Sequence, residues 1–160
     1  MKNLLFFFAT LFSGFLLHAQ STVNLVTDMH SLLVSAETNF ADQVGTVLME
    51  DAETKTIYYH SKKPVEAAKT IIVKQSSGSA FTYSYGIIYD IRASGALNKV
   101  LPVLTAYTEE LDAMEKSGKY TIEVNESGSI KKLIDKKGRT VMNISWDLEF
   151  VNIYFFGQKS

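Results

Sequence analysis

The sequence has 160 residues, with 16 Lys and Arg against 17 Asp and Glu and a formal net charge of -1. That balance, with basic residues dispersed as the pairs Lys62-Lys63, Lys131-Lys132 and Lys136-Lys137, excludes the concentrated basic face that nucleic acid binding requires. Cysteine is absent, so disulfides, thiolate metal sites and a cysteine nucleophile are excluded, and packing must hold the fold.

Lys2 followed by the apolar run Leu4 to Leu17 reads as a secretory signal peptide over residues 1–19, with Leu17-His18-Ala19 as an imperfect small-x-small cleavage site. The run is short for a membrane span, and no stop-transfer pattern follows. The processed chain is expected to start at Gln20 and to carry no integral membrane segment. It should be exported to the periplasm or the extracellular space and fold as a single domain over residues 20–160.

Leu25, Met29, Leu32, Ala36 and Phe40 recur at helical spacing and predict a first helix, fraying near Asn39. Val44 to Glu50 and Lys55 to Ser61 then read as a hairpin around the polar Asp51-Ala52-Glu53-Thr54. Lys69 to Gln75 is a third strand, and Ser76-Ser77-Gly78-Ser79 a turn. In the next segment Phe81, Tyr83, Tyr85, Ile87 and Tyr89 alternate with Thr82, Ser84, Gly86 and Ile88, the period-two pattern of a strand.

Val100, Leu104, Tyr107, Leu111 and Met114 step by four, three, four and three, which keeps them on one side of a second helix. Pro102 is tolerated only in a first turn, so this helix is expected to start at Asn98 or Lys99, with Gly118 just beyond its end. Tyr120 to Val124, Ile130 to Ile134 and Met142 to Trp146 are short strands joined by Asn125-Glu126-Ser127-Gly128 and Asp135-Lys136-Lys137-Gly138. Leu148 to Phe156 is apolar on both faces, as an interior strand would be. Together these give an α+β two-layer sandwich: a mainly antiparallel sheet of six to eight strands with two helices on one face, in two halves of one helix and three or four strands each. The order of elements resembles that of tandem helix-plus-sheet folds of the β-lactamase-inhibitor-protein type.

Catalytic signals are sparse. His30 and His60 lack metal-ligand spacing, and no phosphate-cradling loop or GxSxG elbow is present, so neither cofactor nor metal is expected. Glu50, Asp51, Glu53, Asp90, Glu123, Asp147 and Glu149 are candidates for paired-carboxylate hydrolysis, but most fall at strand ends or turns. The feature with binding character is aromatic: Phe81, Tyr83, Tyr85 and Tyr89 along one strand, with Tyr58 beside them. Such a stripe either packs under a helix or, on an uncovered face, offers rigid amphipathic contact area. The expected function is that of an exported, non-enzymatic binding module contacting a protein or a glycan through a sheet face. The alternatives are a small secreted hydrolase and a structural subunit that forms a homodimer through its apolar sheet.

Overall fold

The computed structural model of the chain describes residues 24–159. The expected signal peptide and its cleavage site lie outside the described residues. Helix α1 (residues 24–37) buries Met29, Leu32 and Ala36 on one face. Phe40 reaches the core too, but not as a helical residue. The chain leaves the helix at Thr38, and Asn39 and Phe40 take positive φ angles of 54° and 56°. The Phe40 amide then donates to the Ser35 carbonyl at 2.9 Å. Left-handed backbone is unfavourable for a bulky side chain. Complete burial of the phenyl ring, 5.8 Å from the Tyr85 ring, offsets that cost.

Four strands follow: β1 (Val44–Asp51), β2 (Thr56–Ser61), β3 (Lys69–Ser77) and β4 (Ala80–Asp90). After helix α2 (Ala96–Lys116) come β5 (Tyr120–Val124), β6 (Ile130–Asp135), β7 (Thr140–Trp146) and β8 (Phe150–Phe156). They form one eight-stranded antiparallel sheet in the order β1-β2-β3-β4-β8-β7-β6-β5. Each helix thus precedes a four-stranded meander, and the two meanders join along their last strands, with Ile87 opposite Ile153 at the middle of the joint.

The helices cover one face. From the sheet, Ile72, Tyr85, Ile87, Tyr89, Leu133, Met142, Ile144, Val151, Ile153 and Phe155 point into the same core as Met29, Phe40, Val100, Tyr107 and Leu111. On β4, β7 and β8 these are alternate residues, so register decides which side chains meet the helices.

Several boundaries differ from the sequence reading: β3 runs on through Ser76 and Ser77, β7 starts at Thr140, and two further shifts have a clear physical reason. Helix α2 starts at Ala96, behind Gly95 with φ 79°, which places Pro102 in the second turn rather than the first. The proline removes the amide that would bond the Asn98 carbonyl. Asn98 and Pro102 both face solvent, where water can serve that oxygen. The buried face of α2 is Val100, Val103, Tyr107, Leu111 and Met114, while Leu104 sits at its margin, half-buried. Strand β8 begins at Phe150, because Leu148 lies in the β7–β8 turn and is 95% exposed. Ser117 and Gly118 end α2 as expected, the Gly118 amide donating to the Glu115 carbonyl at 2.8 Å with φ 70°.

Candidate functional site

The face of the sheet turned away from the helices carries the second set of alternate residues, and no described element lies over it. Its rows follow from strand register. One runs Met49, Tyr58, Val73, Ser84 and Phe156 across β1, β2, β3, β4 and β8. The next runs His60, Ile71, Gly86, Tyr154 and Asn143 across β2, β3, β4, β8 and β7. A third pairs Lys69 with Ile88 and Ile88 with Asn152. Apolar and aromatic side chains therefore gather over β1–β4 and β8, whereas on the β5–β7 side Thr121, Glu123, Lys132, Asn143 and Ser145 are mixed with Ile130 and Ile134.

The aromatic residues of this face support one another. Tyr154 and Phe156 stack at 6.5 Å with 27° between ring planes. Tyr154 also lies across Gly86, where a Cβ would stand 2.6 Å from its ring, and Ile71 borders the same gap. Burial, and then the nearby Tyr58 oxygen, push the Tyr154 hydroxyl above its ordinary pKa. At the far end the Arg92 guanidinium stands 5.0 Å over the Phe150 ring while pairing with Asp90 at 2.5 Å. Met49, 53% exposed, continues the apolar surface to the β1 edge.

The five aromatic residues singled out in the sequence are not brought together. Tyr85 and Tyr89 are 1% and 5% exposed beneath the helices. The Tyr85 hydroxyl donates to the Lys63 carbonyl at 2.9 Å. Phe81 and Tyr83 share that face of β4 but stay half-buried, in edge contact at 5.7 Å with Lys74 Nζ 4.7 Å above the Phe81 ring and Tyr59 alongside. Tyr58 alone belongs to the open face. Of the residues that join it there, Phe150, Tyr154 and Phe156 were marked in the sequence only by the two-sided apolar character of the last strand, and Ile71 by the two-sided apolar run Ile71-Ile72-Val73 of the third.

The carboxylates hold turns. Asp51 Oδ1 accepts from the Glu53 and Thr54 amides at 3.0 and 3.2 Å, and Asp147 Oδ1 from the Glu149 and Phe150 amides at 2.7 and 2.8 Å. Asp135 does the same for Lys137 and Arg139, and Asp90 for Arg92. Hydrogen bonding from Thr54 lowers the Asp51 pKa, and the Glu149 and Phe150 amides lower that of Asp147. Bonding from Arg92 takes the Asp90 carboxyl down to about 2. His30 Nε2 meets Glu110 Oε1 at 2.7 Å, tying α1 to α2, while His60 is exposed on the open face. Among the described residues no three His, Asp or Glu side chains cluster so as to hold a metal ion, and no helix is long and apolar enough to cross a membrane.

Compared with models of known protein families, with curated proteins and with solved structures, the chain matches none. The resemblance in element order to the β-lactamase-inhibitor-protein type accordingly carries no argument about function.

Proposed function

We propose that the chain is a non-enzymatic binding module that receives a protein partner on the open sheet face. The observation that carries this reading is the patch of half-buried Tyr58, Ile71, Val73, Ile88, Phe150, Tyr154 and Phe156, over which no described helix or strand lies. Rigid aromatic side chains on a flat, preformed surface lose little conformational entropy on binding. The mixture of aliphatic with aromatic side chains favours a protein over a glycan, whose hydroxyls would leave Ile71, Val73 and Ile88 without apolar partners. The turn-holding roles of Asp51, Asp90, Asp135 and Asp147 fit a scaffold better than a hydrolase.

The test places a photo-crosslinking amino acid at Tyr58 or Phe150, and at Glu109 on α2 as a control, in the producing cell. Adducts with another protein from the two sheet positions and not from Glu109 would support the reading. Self-adducts at twice the chain mass would replace the partner by a second copy. Absence of adducts from the sheet positions, or equal yields from all three, would remove it.

A further inference from the structure

On the other side of the sheet a cavity of about 700 Å³ opens between the N-terminal ends of α1 and α2 and the segment after β2. Its volume is in the range of small-molecule sites. Leu25, Leu32, Val65, Val100 and Val103 give it aliphatic walls, and Tyr85, Tyr89 and Tyr107 line its interior. Tyr89 and Tyr107 are 5% and 3% exposed, and among the described residues neither hydroxyl has a hydrogen-bond partner. Gln43, 3% exposed, also lines the cavity; its Nε2 donates to Asp42 at 2.8 Å but its Oε1 is buried without a partner. A buried polar group left unsatisfied is costly and rare, and Gln43 Oε1 is one; the Tyr89 and Tyr107 side chains, each with a hydroxyl donor, line the same cavity.

The charges around the cavity do not select an ion. Asp28 and Glu66 share the lining with Lys99, Lys63 is paired with Asp42 at 3.3 Å, and Asp90 is paired with Arg92, so the lining carries both signs and no cluster of one. Burial first, then the neighbouring Tyr89 and Asp28 oxygens, raise the Tyr107 pKa, so the phenol stays a neutral donor. We infer that this cavity is a binding site for an uncharged, largely apolar small molecule whose alcohol or amide end exchanges hydrogen bonds with Tyr89, Tyr107 and Gln43. The site is separated by the sheet from the face proposed above, so either reading can fail without the other.

The test uses Nile red, a neutral apolar dye with a carbonyl acceptor, titrated into the purified chain and followed by its blue shift. Saturable binding at one site is expected. Tyr89→Phe and Tyr107→Phe, which keep the ring and remove only the hydroxyl, should each weaken it about five-fold. Val103→Trp should abolish it by filling the space, with circular dichroism as the control for folding. In competition, 1-octanol should displace the dye at lower concentration than octanoate or octylamine. Dye binding that is absent, or unchanged in both phenylalanine variants, would overturn the site. Displacement led by octanoate or octylamine would overturn the uncharged ligand class.

Discussion

The Tyr154 ring occupies the space that a side chain at Gly86 would need, its Cε1 2.6 Å from the position of the missing Cβ. A glycine inside a strand normally costs stability, so its presence here marks close approach of a ring from the neighbouring strand. Gly86→Ala should destabilise the fold by about 1–3 kcal/mol through overpacking. The same change made in a Tyr154→Ala background should cost much less. Urea titrations of the four chains measure the coupling; equal costs in both backgrounds would show that the ring is not what excludes the methyl group.

Helix α2 offers a graded comparison. Leu111 is fully buried, and Leu111→Ala should cost about 2–5 kcal/mol by loss of contacts and a residual cavity. Leu104, at the margin, should cost clearly less, although sequence spacing treats the two alike. Equal losses in denaturant would mean that the helix sits rotated from the orientation described.

Pro102 is a direct prediction of stabilisation. Replacing it with Ala restores an amide to the second turn and relieves the ring's clash with the Asn98 carbonyl. The gain should be about 1–3 kcal/mol in equilibrium unfolding, partly offset by a more flexible unfolded chain. Loss of stability would show that the proline is compensated by contacts elsewhere.

The tyrosines of β4 separate by burial. Tyr85→Ala should cost about 3–5 kcal/mol, as for other large buried rings. Tyr83, half-buried among Tyr59, Phe81 and Lys74, should cost about 1 kcal/mol. Thermal melts of the two variants order them directly.

Acid should loosen the turns. Asp51, Asp90 and Asp147 all have folded-state pKa values below the ordinary carboxylate value, Asp90 at about 2. The folded chain therefore binds these protons less readily than the unfolded chain. Their contribution is complete above about pH 4 and is lost as the pH falls towards 2. Asp147→Asn keeps an oxygen for the Glu149 and Phe150 amides but removes the titration. It should flatten the fall in stability between pH 4 and pH 2. An unchanged slope would remove Asp147 from this account.

Most of the architecture was legible because alternation and helical spacing report burial directly. The β4 pattern from Phe81 to Tyr89 and the α2 stripe from Val100 to Met114 each identified a face correctly. Boundaries were less legible where a local cost is absorbed by tertiary structure. Pro102 sits in a second turn because its side of the helix is wet, and Phe40 takes a left-handed backbone because its ring is wanted in the core. The open face was harder still. Tyr58, Gly86 and Tyr154 become neighbours only through the order of strands in the sheet, and nothing in local spacing states that β8 inserts between β4 and β7.

That insertion has a consequence for biogenesis. β8 is synthesised after the other seven strands, yet it is the keystone between the two meanders. A nascent chain that has emerged only as far as β7 holds two unsealed partial sheets, with β4 and β7 exposing unpaired backbone to whatever lies nearby. Closure awaits delivery of Phe150 to Phe156, so the β4 and β7 edges stay open until the last strand has been made.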